Sequence, residues 1–327
     1  MISPSSMLSP RIAVLIPCYN EEAAIGSVVK DFHAALHGAT IYVYDNNSRD
    51  RTTEVAAAAG AVVCLEPLQG KGNVVRRMFA DIEADVYVLV DGDDTYHAPS
   101  APGLVHKLLT ENLDMVNGAR VTDIEAAYRR GHRFGNRLLT TLVSSVFGKR
   151  TADMLSGYRV FSRRFVKSFP ALAGGFEIET ELTVHALEMR MPFAEVATPY
   201  KDRPVGSHSK LSTYRDGLRI LLMIGRLVKE ERPLQAFSFM AVIFGLAAVI
   251  VAAPVFATYF ETGLVPRLPT AVFAVALMLL AFLSLTCGLI LESVTRGRRE
   301  IKRLAYLAQP LFSALTPPSI ETARRSS

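Results

Sequence analysis

The sequence predicts an α/β chain in two parts: a mostly parallel, doubly wound sheet, then a C-terminal hairpin of two transmembrane helices. Three observations lead there. Up to about Arg232, short apolar runs alternate with helix-like stretches and charge is spread throughout. Three of the first four apolar runs end in a polar cluster. Beyond Arg232 come two apolar runs without a charge, 234–260 and 269–291, each longer than the ~20 residues a helix needs to cross a bilayer core.

The first strand is expected over 12–16, ending at Pro17 and the cluster Cys18-Tyr19-Asn20-Glu21-Glu22, with a helix over 23–36. A second, 41–44, ends at Asp45-Asn46-Asn47-Ser48, and a third covers 61–65. The fourth, 86–90, ends in Asp91-Gly92-Asp93-Asp94. Strands alternating with helices indicate a parallel sheet, and such sheets gather ligands beyond the carboxyl ends of their strands.

Half of the 327 residues are hydrophobic and the mean hydropathy is positive, which suits a membrane-attached protein. The net charge of +5 is concentrated near the apolar runs. That points to anionic lipid before nucleic acid, and no aromatic-rich basic stripe argues for a nucleic-acid partner. Arg215, Arg219, Arg226, Lys229 and Arg232 precede the first run; Arg296, Arg298, Arg299, Lys302 and Arg303 follow the second. The positive-inside rule then puts both flanks in the cytosol and the short loop holding Glu261 and Arg267 outside. The first ten residues have no apolar core of signal-peptide length. The expected location is the cytoplasmic membrane, with the N-terminal part and both termini cytosolic. Residues 211–231 pair a broad apolar face with Arg215, Arg219, Arg226 and Lys229, as a helix lying in the membrane interface would.

Cys18, Cys64 and Cys287 are far apart; their spacing makes neither a disulfide framework nor a zinc site and reads as buried small hydrophobes. The seven histidines show no H-E-x-x-H spacing. Asp91-x-Asp93 at a strand end can meet a hard cation and the phosphates it bridges, or simply cap a turn. Asp45, Ser48 and Asp50 divide similarly between ligand contact and helix capping. Gly70-Lys71-Gly72-Asn73 before a helix either brings backbone to a phosphate or is a plain loop into a helix.

Together these pieces resemble the family-2 inverting glycosyltransferases of GT-A fold, and among them the polyprenyl-phosphate glycosyltransferases, the dolichol-phosphate mannose synthase-like group. The matching segments are I-P-C-Y-N-E-E (16–22), Y-D-N-N-S-R-D-R-T (44–52), G-K-G-N (70–73), V-D-G-D-D (90–94), N-G-A-R (117–120), D-M-L-S-G-Y-R (153–159) and R-P-V-G-S-H-S-K-L (203–211). The resemblance implies a nucleobase pocket lined by Pro17, Tyr19, Glu21 and Asp45, with Lys71 near the donor phosphates. It implies Mg²⁺ or Mn²⁺ on Asp91 and Asp93, and an arginine, Arg120, at the reacting phosphate. Asp153 stands beside the acceptor, and Arg203, Ser209 and Lys210 belong to a loop closing over the donor. Asn46 and Asp94-Thr95 depart from the family's usual residues. The same resemblance suggests a homo-tetramer.

The organisation expected is a GT-A domain over 1–210, an amphipathic helix over 211–233, two spans within 234–292 and a cytosolic basic tail over 293–327. The expected reaction moves a sugar from a nucleotide diphosphate sugar, UDP-linked by preference, to polyprenyl phosphate. Such an acceptor is already anionic and needs little general-base help, whereas bringing two anions together calls for arginines. From the cluster Arg129, Arg130, Arg133 and Arg137 with His132 and Asn136, Arg133 and Asn136 are assigned to the acceptor phosphate, together with Ser209 and Arg120. Asp153 has three readings: base, orienting group, or structural ion pair with Arg159. Of Glu177, Glu179 and Glu181, one is expected to face the site and the others solvent. The rival readings are transfer to a hydroxyl of a lipid-linked saccharide, and a non-catalytic nucleotide-binding scaffold. A processive synthase of the same fold is disfavoured, since the chain has no tryptophan for a Q-x-x-R-W motif.

Overall fold

The computed structural model describes residues 10–121, 153–201 and 232–310. In chain order come β1 (Ile12–Cys18), α1 (Ile25–Ala35), β2 (Thr40–Asp45), α2 (Thr52–Ala58), β3 (Val62–Leu65), α3 (Lys71–Asp81), β4 (Val86–Leu89), α4 (Ala101–Thr110) and β5 (Met115–Val121). They are followed by β6 (Arg159–Ser162), α5 (Arg163–Ser168), α6 (Ile178–Glu188), β7 (Phe193–Pro199) and two long helices, α7 (Pro233–Thr262) and α8 (Leu268–Leu307).

The seven strands form one sheet in the order β3-β2-β1-β4-β6-β5-β7. Neighbours among β1 to β4 pair in parallel, as do β5 and β7. The sheet is thus mostly parallel, as expected. Its exception is β6, which runs antiparallel to both β4 and β5. Leu89 pairs with Arg159, so the residues leading into β6 arrive beside the carboxyl end of β4. That is how the 153–159 segment reaches the Asp91 cluster.

The continuous apolar run of β1 follows from burial on both faces. Val14, Ile16 and Cys18 join the core shared with α1 and α4, while Ala13 and Leu15 face α3, α5 and α6. Each fully buried aliphatic or aromatic side chain contributes roughly 1.5–3 kcal/mol, which makes the sheet a rigid platform for the loops at its edge.

The chain divides into two compact units, residues 1–217 with 302–327, and residues 218–301. Within the first, the last two turns of α8 are held by side chains of the sheet region. Lys302 Nζ donates to Glu188 Oε2 at 2.7 Å, and Tyr306 Oη donates to Asp114 Oδ2 at 2.8 Å. Asp114 is fully buried and also accepts a bond from Ser162 Oγ at 2.6 Å. The stretch read from sequence as a basic tail therefore begins as helix through Leu307.

In the second unit, 6 % of the most apolar stretch of α7 and 17 % of that of α8 is buried. A core helix of a soluble protein would be buried over most of its length; these two are long and apolar enough to cross a membrane. Gly263, at φ +68°, closes α7 in the left-handed conformation that glycine adopts without strain. The buried residues of α8, Ala274, Ala281, Gly288 and Thr295, recur every seventh position. A Cβ at Gly288 would stand 3.0 Å from the Phe237 Cβ of α7. Small side chains let two apolar helices approach where lipid offers no hydrophobic drive.

Candidate active site

The site forms where β1, β2 and β4 end. The loops after β1 and β2 are stitched together: the Asn20 amide donates to Ser48 Oγ (2.8 Å), the Arg49 amide to Asn20 Oδ1 (2.8 Å), the Glu21 amide to Thr52 Oγ1 (2.9 Å) and the Arg51 amide to Glu22 Oε2 (2.8 Å). Pro17 and Tyr19 are half-buried beside them and Glu21 is buried. Asp45 is 3 % exposed. Its Oδ2 accepts the Ser48 amide at 3.0 Å, while its Oδ1 is buried with no hydrogen-bond partner. A buried carboxylate oxygen without a donor is costly, and it leaves an acceptor ready for a ligand N–H. Asp50, just ahead of α2, accepts the Thr52 amide and hydroxyl.

Asn46 shows why an amide replaces a carboxylate there. Its Nδ2 donates to the carbonyls of Glu66 (2.9 Å) and Leu68 (2.8 Å), and its Oδ1 accepts the Gly70 amide at 2.6 Å. An aspartate could not supply the two donated bonds. The amide thus ties the end of β2 to the loop that delivers Lys71.

The glycines around Lys71 serve a purpose other than approach to a phosphate. The amides of Gly72 and Asn73 donate to the Gly174 carbonyl, at 3.1 and 3.4 Å. A Cβ at Gly70 would collide with the Gly174 carbonyl, and one at Gly72 with that of Ala173. The chain's own backbone occupies the space. Gly70 also sits at φ +131°, a conformation side chains rarely adopt. Gly72→Ala is accordingly expected to lower the melting temperature by several degrees, on the scale of about 1–3 kcal/mol for overpacking. A thermal melt unchanged from wild type would refute this packing account.

Lys71, at the first position of α3, reaches two carboxylates: its Nζ lies 2.5 Å from Asp91 Oδ1 and 2.6 Å from Glu179 Oε1. Burial works against the ammonium, but Asp91 and Glu179 outweigh it and hold its pKa above the usual lysine value. Burial likewise pushes the Glu179 carboxyl above its ordinary range, against the pull of Lys71. Glu179 is therefore the glutamate that turns inward. Glu181 departs from expectation, since it accepts the amides of Leu172 (2.9 Å) and Ala173 (2.8 Å) and fixes the platform on which α3 sits.

Asp93 is 4 % exposed, and its Oδ1 accepts the Thr95 hydroxyl at 2.6 Å and amide at 3.3 Å. Asp94, at φ +55°, turns the chain away and meets Lys201 Nζ at 3.3 Å. Gly157 lacks a side chain because one would collide with the Asp91 carboxylate. Its amide donates to Tyr96 Oη at 2.7 Å. Tyr96 packs against Tyr200, 5.3 Å between ring centroids, and the Arg120 guanidinium lies 5.5 Å from the Tyr200 ring centre.

Arg120 and Asp153 form a two-bonded pair, Nε to Oδ2 at 2.7 Å and Nη2 to Oδ1 at 2.9 Å. Burial alone would raise the Asp153 pKa, but the hydrogen bonds and charge of Arg120 pull it below the usual carboxylate range. The guanidinium of Arg159 goes elsewhere, donating to the carbonyls of Met154 (2.7 Å) and Ser156 (3.0 Å) and to Thr183 Oγ1 (2.8 Å). Asn117, in the same motif as Arg120, donates to the Asp153 carbonyl at 2.7 Å and so holds the backbone of that loop.

Asp45, Lys71, Asp91, Asp93, Arg120 and Asp153 thus come from strand ends and loops on the side of the sheet where its parallel strands end. Arg133, Asn136, Arg203, Ser209 and Lys210 lie outside the described residues, as does the 211–231 helix. Sequence reasoning left undecided which glutamate faces inward and passed over Tyr96 and Tyr200; no short-range signal marks any of them. Among the described residues, no three Asp, Glu, His or Cys side chains gather as a metal site. Two carboxylates at one turn still suit Mg²⁺ or Mn²⁺, which take few protein ligands when substrate phosphates and water complete the shell.

A mostly parallel sheet with paired aspartates after its fourth strand is the arrangement expected of a GT-A glycosyltransferase. The profile of glycosyl transferase family 2 matches residues 13–169. Glycosyltransferase AglJ of Haloferax volcanii is 36 % identical over 228 residues, covering 69 % of this chain and 75 % of the relative. A dolichyl-phosphate hexose transferase of the same organism is 31 % identical over 221 residues, 68 % of this chain and 95 % of the relative. Glucosyl-3-phosphoglycerate synthase from Mycobacterium tuberculosis, solved with Mn²⁺, uridine diphosphate and glucosyl-3-phosphoglycerate, superposes with a TM-score of 0.53 at 26 % identity, covering 66 % of this chain and 80 % of that one. The chain belongs to glycosyl transferase family 2.

Proposed function

We propose that this glycosyltransferase moves a sugar from a UDP-linked donor to the phosphate of a membrane-held polyprenyl phosphate, at a site facing the cytosol. The observation that carries the donor reading is the buried, unpartnered Asp45 Oδ1 at the end of β2, where Asp45 pairs with Cys18 at the end of β1. An imide N–H of a nucleobase supplies the donor it lacks. Asp91 and Asp93 would hold a divalent cation, Mg²⁺ or Mn²⁺, whose charge eases departure of the nucleoside diphosphate. The neighbour solved with Mn²⁺ and uridine diphosphate supports both choices.

The acceptor reading rests on three supports. One relative is named a dolichyl-phosphate hexose transferase. Two helices are long and apolar enough to cross a membrane. The third is chemical: Asp153, held with a lowered pKa by Arg120, is a poor proton acceptor at neutral pH, and a phosphate acceptor needs none. Asp153 then orients Arg120, whose forked N–H groups suit a phosphate oxygen pair. On the sequence reading, Arg133, Asn136 and Ser209 are assigned to the acceptor phosphate and Arg203 with Lys210 to the donor. The basic flanks of the two helices favour the cytosolic face for the whole.

The test uses the full chain in detergent with radiolabelled UDP- and GDP-sugars, a short polyprenyl phosphate, and Mn²⁺ or a chelator. Label is expected to pass from a UDP-sugar into the organic phase only when both polyprenyl phosphate and metal are present. Transfer to a lipid-linked saccharide but not to polyprenyl phosphate would refute the acceptor assignment.

A further inference from the structure

Glu179 stands 108 residues from Lys71 in the chain, yet closes on the same ammonium as Asp91. The side chains of Lys71 and Glu179 are 8 % and 11 % exposed, that of Asp91 26 %. Asp91 is thus the open member and the other two form its support. A lysine on its four-carbon stem can otherwise place its charge over a wide arc; two carboxylates from different elements reduce that arc to one position. The backbone beneath is equally fixed, because Glu181 holds the 172–173 amides and the first turn of α3 bonds to the Gly174 carbonyl. Stability alone is a weak reason for this arrangement, since apolar residues of similar volume commonly serve as well as a buried ion pair. What the two carboxylates supply instead is a fixed position for the ammonium between them.

We propose that Glu179 is a positioning residue, which holds the Lys71 ammonium beside Asp91 as a preset positive charge for the donor's diphosphate. The inference rests on the nucleotide-sugar reading of the site. No bond is made or broken in this role, and Lys71 keeps its proton throughout. Preset charge of this kind needs no rearrangement when the leaving group becomes more anionic.

The test is binding of uridine diphosphate to the full chain in detergent, by calorimetry with Mn²⁺, for wild type, Lys71→Met, Glu179→Gln and the double variant. Each single variant is expected to raise the dissociation constant about tenfold or more. The double variant should lose no more than Lys71→Met, because Glu179 acts through that lysine. Melting of the unliganded proteins controls for folding: Lys71→Met leaves Asp91 and Glu179 facing each other and melts lower, and adding Glu179→Gln recovers part of the loss. Glu179→Gln binding uridine diphosphate like wild type, or losses that add in the double variant, would overturn the inference and leave the donor reading intact. Coupling in the melts alone would make Glu179 a structural residue, which also overturns it. Wild type that binds neither uridine nor guanosine diphosphate with Mn²⁺ would instead remove the donor reading itself, and this inference with it.

Discussion

Arg120→Ala is expected to reduce sugar transfer at least a hundredfold and to destabilise the protein by about 3–5 kcal/mol, the usual cost of stranding one member of a buried pair. Asp153 is 7 % exposed and Arg120 17 %, so water replaces little of what the guanidinium supplies. Arg120→Lys separates the two effects. It restores a charge beside Asp153 but not the fork, so most of the stability should return and most of the activity should not. The pH dependence has a definite sign. Because the folded pKa of Asp153 is lowered, the pair's contribution is fully present above the unfolded value of about 3.9 and is lost as pH falls through the folded pKa. The stability gap between wild type and Arg120→Ala should therefore narrow as the medium is acidified below about pH 4. Chemical denaturation at several pH values, with kcat/KM at neutral pH, measures both. A variant as stable and active as wild type would show that the pair matters to neither.

Asp93→Asn is expected to lower kcat/KM by about 10²–10³ or more, the scale seen when one preorganised charge contact is removed from a reacting centre. It should also abolish the difference between Mn²⁺ and chelator. Asparagine keeps an oxygen for the Thr95 hydroxyl and amide that Asp93 now receives, so the turn survives and the melting temperature should move by only a few degrees. The decisive comparison is uridine diphosphate affinity with and without metal. In the wild type metal should tighten binding, and in the variant it should not. Metal-stimulated binding retained in Asp93→Asn would remove this carboxylate from the cation site.

Much of the platform could be read directly. The runs that became β1, β2 and β4 are continuous and apolar because their strands are buried on both sheet faces, and their ends carried Asp45, Asp91 and Asp93 to the side where the parallel strands end. The two uncharged runs near the C-terminus became α7 and α8 because length and composition are local properties. Other features depended on where elements cross. The sequence offered Arg159 as a partner for Asp153; the antiparallel entry of β6 buried that arginine against backbone carbonyls and left Arg120 to make the pair. The glycines of the Lys71 segment left a phosphate cradle and a plain loop equally open; the 173–174 backbone fills the space a cradle would need. The Asn46 substitution became intelligible once its amide was seen to bridge two loops.

By itself, then, the amino-acid sequence determined the first four strands, which helices are apolar enough to meet lipid, and which carboxylates stand at the ends of those strands. Periodicity, chain length and turn chemistry settle such things within a few residues of one another. Only the tertiary structure decided that Glu179 is the inward glutamate, that Lys71 is shared between it and Asp91, and that Asp45 keeps one carboxylate oxygen without a donor. Those outcomes depend on which side chains from distant elements compete for the same buried charge. That competition is resolved by close packing and the cost of leaving polar groups unpaired, and neither operates until the elements have met.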